Sequence, residues 1–291
     1  MKRDRMDMDT DTGTGLKKTL WRFMVILCLI VFAVSVFGIA GTLLKANREK
    51  STFDDLIEMA EADAGNGSGQ AGSDAADVET TEASGEGQTN SEQTGEVAAE
   101  KPKRNYGLLK EKNPDFAGWL RIPDTKIDYP VMHTPDDMQY YIRRDFYGKS
   151  SVSGTPFIGD FCSADSGSMI IYAHNMKNGT MFGELDRYES EDYWSKHRVL
   201  EFDTPDESRQ YEIFAAFRTK LVYENQEGFR YYEYVGDMTE ERFDEFMNLL
   251  RQYSFYDTGS WPEYGDQLMI LSTCSYYTED GRFVVVARRV E

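Results

Sequence analysis

Apolar positions fall into three regimes along this chain. From Phe23 to Leu44 the sequence FMVILCLIVFAVSVFGIAGTLL runs for 22 residues without a charge, long enough to cross a hydrocarbon core of about 30 Å. From there to about residue 103 large apolar residues become scarce. Beyond residue 104 they return in short runs separated by turn residues: AGWLRI, IDYPVM, TPFIGD, SMIIYAH, VLEFD, QYEIFAAFRT, QLMILSTC and RFVVVARRV. Runs of this length, rich in β-branched and aromatic residues, read as strands. Eight of them with few helices predict a mainly β fold, a closed or nearly closed barrel. One segment breaks the strand pattern. In TEERFDEFMNLLRQY, Phe243, Phe246, Met247 and Leu250 recur at i, i+3, i+4 and i+7, the stripe of a helix that buries one face. Asp237 or Thr239 is placed to cap its start. A shorter helix, YGLLKEKN, precedes the first strand.

These regimes divide the chain into residues 1–22, a cytoplasmic N-terminus; 23–44, a single transmembrane helix; 45–103, an acidic disordered linker; and 104–291, a folded domain of 188 residues. Lys2, Arg3, Arg5, Lys17, Lys18 and Arg22 precede the apolar run, whereas Lys45, Arg48 and Lys50 follow it. The positive-inside rule therefore predicts a cytoplasmic N-terminus and a C-terminal domain outside the membrane. Gly38-Ile39-Ala40 would suit a cleaved signal peptide, but signal h-regions run only about 7 to 15 residues, and an uncleaved anchor fits the length better.

Charge changes the picture only in the linker. The formal net charge is -19, of which residues 51–100 carry 13 Asp/Glu and no Lys/Arg, so the rest of the chain sits near -6 (-19 + 13). The balance excludes a nucleic-acid binder, and the linker composition predicts a self-repelling segment unable to offset its ordering entropy.

Candidate chemistry lies in LMILSTCSYYTEDGRF. Two strands joined by a short polar loop become antiparallel neighbours, setting Cys274 at one strand's end opposite Arg282 at the other's start. A thiolate, and any oxyanion formed from it, is stabilised by a fixed positive charge. Of the three histidines only His174, in MIIYAHNMKNGTMFG, directly follows an apolar strand and opens a polar loop; His133 and His197 read as surface residues. Cys28, within the anchor, reads as apolar filler, with acylation the lesser reading. A disulfide between Cys162 and Cys274 is conceivable outside the cell but would consume the only candidate nucleophile. No Cys or His pair has ligand spacing, so neither metal nor cofactor is expected.

LSTC followed by an arginine opening the next strand, YAHN with NGTMFG behind it, and the stretch NPDFAGWLRIPDTKIDYPVMHTPDDMQYYIRRDF together resemble the sortases, class B in particular, from about Asn113 to the end. The helix before the Cys strand fits class B as well. The resemblance implies an eight-stranded sortase barrel and a cell-surface cysteine transpeptidase of Gram-positive bacteria. It makes Cys274 the nucleophile, His174 the general acid and base, and Arg282 the group holding the substrate carbonyl or oxyanion. It also implies sorting-signal peptides of secreted surface proteins as one substrate, with NPxT-like or PPxTG-like motifs, and an amine of a peptidoglycan precursor or pilin as the other. Tyr172 and Ser272, each two residues before a catalytic position on its strand, share a face and would either line the substrate groove or serve ordinary packing. A surface cysteine protease using the same residues, and a catalytically silent anchored binding module, remain as alternatives.

Overall fold

The computed structural model describes residues 21, 24, 27, 28, 30–36, 51–62 and 104–291. Most of the expected anchor, and residues 45–50 and 63–103 of the expected linker, lie outside the described residues. Those described between 21 and 36 are helical, and among the described residues no helix is long and apolar enough to cross a membrane.

All eight expected strands are present: β1 (Phe116–Arg121), β2 (Asp128–Met132), β3 (Phe157–Ile158), β4 (Ser168–Tyr172), β5 (Val199–Asp203), β6 (Ser208–Lys220), β7 (Leu268–Cys274) and β8 (Gly281–Arg289). They close into a barrel in the order β1-β2-β3-β4-β7-β8-β6-β5, β5 returning to β1. The β2–β3 and β4–β7 pairs are parallel and the others antiparallel. Closure leaves no open edge in the sheet. The near-unbroken apolar runs of β4, β7 and β8 arise because both faces of these strands are covered.

Helix α2 (Tyr106–Lys112) starts at Asn105, whose side chain accepts from the Leu108 amide. Helix α4 (Glu240–Tyr253) buries Phe243, Phe246, Met247 and Leu250, the predicted stripe. Thr239 is its cap, accepting from the Arg242 amide at 3.3 Å, whereas Asp237 accepts from the Gly167 amide at 3.0 Å. A further helix, α3 (Glu191–Lys196), lies between β4 and β5 and is too short to show a period in sequence.

One expectation is corrected. Residues 51–62, assigned to the disordered linker, form a helix, α1, with Phe53, Leu56 and Ala60 buried in the same core as the barrel. The Phe53 ring meets Tyr129 edge-on at 5.2 Å. The Ala60 carbonyl accepts from the Asn105 amide at 2.8 Å. Glu61 pairs with Arg104, which also grips Asp128 through two nitrogens and lies over the Trp119 ring. An apolar stripe at i, i+3 and i+7 was enough to dock a segment that is acidic elsewhere.

Candidate active site

The site is assembled where β4, β7 and β8 end together. In the parallel β4–β7 pair, Tyr172 is the register partner of Ser272. The ladder continues one step further, the Ala173 amide donating to the Ser272 carbonyl at 3.3 Å. His174 and Cys274, each two residues past that matched pair, therefore stand at matched positions where the adjacent strands end. In the antiparallel β7–β8 pair Cys274 stands directly opposite Arg282. The three residues picked from sequence thus converge on one rim, His174 and Arg282 flanking the exposed thiol of Cys274.

Several bonds hold this rim. Thr273 Oγ1 donates to the Ala173 carbonyl at 2.7 Å. Asn175 Nδ2 donates both to the Cys274 carbonyl at 2.9 Å and to Asp186 Oδ2 at 3.1 Å. Tyr276, in the loop after Cys274, donates to the Asn175 carbonyl at 3.0 Å. Asn175 is buried, so the residue after the histidine clamps the backbone of the cysteine. Burial holds the Asp186 carboxyl above its ordinary range, against the opposing effect of the Asn175 bond. His174 Nε2 lies 2.8 Å from the carbonyl of Ile142. Arg282 Nη1 donates to the Gly281 carbonyl at 2.8 Å, which orients the guanidinium fork at the Cys274 end of the ladder.

Tyr172 and Ser272 divide. Tyr172 is partly exposed, its ring 5.8 Å from Phe157 and fitted against Gly159, where a Cβ would stand 2.7 Å from the ring edge. It remains placed to line a groove. Ser272 has no exposed surface, and its hydroxyl is 2.7 Å from that of Tyr231 in the segment between β6 and α4. For Ser272 the packing alternative holds and groove lining is corrected: Tyr231 covers it, and Ser272 anchors that cover. Burial raises the Tyr172 phenol, with the Arg282 charge opposing. It pushes Tyr231 up to about 12 against the Ser272 bond and the Arg282 charge. Both phenols stay neutral beside the guanidinium.

The other histidines belong elsewhere and are not free surface groups. His197 stacks on Tyr193 at 4.1 Å with Nδ1 against the Tyr193 carbonyl. His133 is partly buried and lowered in pKa by desolvation and by Lys110. Cys162 is a free, buried thiol raised by desolvation, and Cys274 is also free. Asn175, Asp186 and Tyr231 carry no sequence signal of their own, because their roles depend on contacts between distant segments.

With this geometry in view, comparison with known proteins decides the family: the sortase domain model matches residues 120–290. The chain belongs to the sortase family. Sortase B of Listeria monocytogenes is 31% identical over 189 residues, covering 62% of this chain and 72% of the relative. A Staphylococcus aureus sortase B–substrate complex superposes with a TM-score of 0.57 at 25% identity, covering 64% of this chain and 84% of that one. A sortase B complexed with triglycine gives 0.56 at 25% identity, with 64% and 85% covered. This sortase thus has class B relatives and the sortase barrel, and it belongs to a family of cysteine transpeptidases.

Proposed function

We propose that the chain is a class B sortase, anchored by residues 23–44 with its barrel outside the cell, that joins sorting-signal peptides of surface proteins to an amine of the cell wall or of a pilin. The observation that carries this reading is the placement of Cys274 between His174 and Arg282 at one end of three neighbouring strands. Support for the anchor comes from the helical, exposed apolar residues Met24, Leu27, Ile30, Val31, Phe32, Val34 and Val36. Ser35, the polar interruption, donates back to the Val31 carbonyl at 2.8 Å, as lipid burial requires of a polar group.

In the first half-reaction the Cys274 sulfur attacks the threonyl carbonyl while its proton passes to His174. Arg282 stabilises the resulting oxyanion, for which a planar fork suits better than an ammonium. The carbon–nitrogen bond breaks as His174 delivers that proton to the leaving amine, and a thioester remains. In the second half-reaction an acceptor amine attacks the thioester, its proton goes to His174, and the sulfur leaves and recovers a proton. An amide is broken and an amide is made, with no net oxidation. The triglycine complexed with a related sortase B carries a free amine of the kind this step consumes.

The test is incubation with NPxT-like and PPxTG-like sorting peptides, with and without a short amine such as triglycine. The expected result is an acyl adduct on Cys274 by mass spectrometry, slow release of acid in water alone, and faster turnover to an amide when amine is added. Fast turnover to free acid that amine leaves unchanged would replace the transpeptidase with a surface protease. Absence of any adduct across the panel, with Cys274 alkylated no faster than a free thiol, would leave a binding module.

A further inference from the structure

A histidine that shuttles protons needs a partner for its second nitrogen, which sets the tautomer and aims the ring. Asn175 bonds the Cys274 carbonyl and Asp186 Oδ2 rather than the imidazole, and the remaining Asp186 oxygen, Oδ1, is buried with no hydrogen-bond partner, His174 included. His174 Nε2 instead meets the main-chain carbonyl of Ile142 at 2.8 Å. A carbonyl oxygen only accepts, so Nε2 carries the hydrogen in this contact.

The carbonyl is built into a stiff turn. Ile142 sits in the 3₁₀ turn Tyr140–Arg143 between β2 and β3. The turn is anchored by buried Tyr141, which donates to Asp115 at 2.8 Å and accepts from Asn113 at 2.8 Å. Neighbouring carbonyls are taken by the loop 150–155: Tyr141 by the Thr155 amide at 3.0 Å, Arg143 by the Ser151 amide at 3.0 Å, and Arg144 by the Thr155 hydroxyl at 2.9 Å. Gly154 closes this loop with φ +64, its amide donating to Ser151 Oγ at 3.0 Å. A Cβ at Gly154 would overlap the Ile142 carbonyl oxygen and stand 2.8 Å from the Tyr141 oxygen. A side chain is therefore excluded twice, by the left-handed backbone and by close approach to the group that holds the histidine.

We infer that the Ile142 carbonyl, kept in place by Gly154, is the orienting partner of His174, fixing Nε2 as the protonated nitrogen and leaving Nδ1 as the one that exchanges protons with the substrate amines. Ile142 and Gly154 are positioning residues; neither touches the reacting atoms. The inference rests on His174 being the general acid and base. In each half-reaction the proton that Nδ1 accepts, from the thiol or from the incoming amine, is the one it returns, while the Nε2 proton stays on Nε2, donated to the Ile142 carbonyl throughout.

The chain has three histidines, so the full-length protein labelled with ¹⁵N-histidine gives a spectrum simple enough to assign with His174→Gln. The neutral His174 ring should show a protonated-type Nε2 with a resolved, slowly exchanging proton and an unprotonated-type Nδ1. A proton on Nδ1, or two averaged nitrogens, would overturn the inference. In Gly154→Ala the fixed signature should be lost, with kcat reduced by about 10- to 100-fold, the scale of a small misplacement of a catalytic group, and KM little changed. A Gly154→Ala protein with the parent spectrum and kcat would overturn it as well. If that variant does not fold, the spectrum of the unaltered chain decides alone. Activity surviving in His174→Gln would instead sink the catalytic reading of His174, an outcome separate from an inactive His174→Gln beside an averaged parent spectrum, which sinks only the role of Ile142.

Discussion

Cys274 and Arg282 face each other across the last rung of the β7–β8 ladder, so the thiol and the guanidinium are held by the same pair of strands rather than by the loop between them. Placement on strands gives such a pair of side chains the rigidity that a loop would not.

Arg282→Lys should therefore lose far more than a change at constant charge suggests. Lysine lacks the planar fork, and removing one oxyanion donor typically costs about 10² to 10³ in kcat. Steady-state kinetics with a sorting peptide checks this. Near-normal kcat in Arg282→Lys would reduce the role of the guanidinium to a general field effect.

His174→Ala should lower turnover by about 10² to 10⁴, the usual share of general acid–base catalysis, and Cys274→Ala should form no acyl adduct at all. Mass spectrometry of both variants after exposure to peptide separates loss of the nucleophile from loss of proton transfer.

Removing α1 should destabilise the barrel. Leu56 is fully buried, and Leu→Ala in a core costs about 2 to 5 kcal/mol. Urea unfolding should find Leu56→Ala weaker by that amount, and a chain starting at Arg104 should melt at lower temperature than one starting at Ser51. Equal melting temperatures would return residues 51–62 to the linker.

Stability should fall in acid through Glu212. Burial opposes its ionisation, but bonds from Ser260 at 2.9 Å, Arg288 at 3.1 Å and Arg198 at 2.6 Å outweigh it and hold the carboxyl below its ordinary value of 4.5. A depressed folded-state pKa contributes stability above the unfolded value, and the contribution is lost as pH falls through the folded one. Melting temperature should thus decline below about pH 4.5, and Glu212→Gln should be less stable at pH 7 with a shallower acid slope. An unchanged slope would show that Glu212 does not carry this dependence.

Local pattern alone determined much of this protein. The eight strands, the α4 stripe and the Cys274–Arg282 pairing all follow from short-range periodicity and from a connecting loop too short to permit another arrangement. Tertiary structure decided whatever joins residues far apart in the chain. The parallel β4–β7 pair, which sets His174 beside Cys274, links segments about a hundred residues apart whose apolar runs name no partner. Ser272 was readable as a residue on the catalytic face, but its burial depends on Tyr231, which arrives from the segment between β6 and α4. Helix α1 had its stripe in plain view, yet composition outvoted it, because averaging over an acidic stretch hides three apolar residues that suffice once Tyr129 and the chain at Asn105 offer a place to dock. The Ile142 carbonyl is invisible to any reading of side chains: every residue has one, and only the fold selects the one that meets His174.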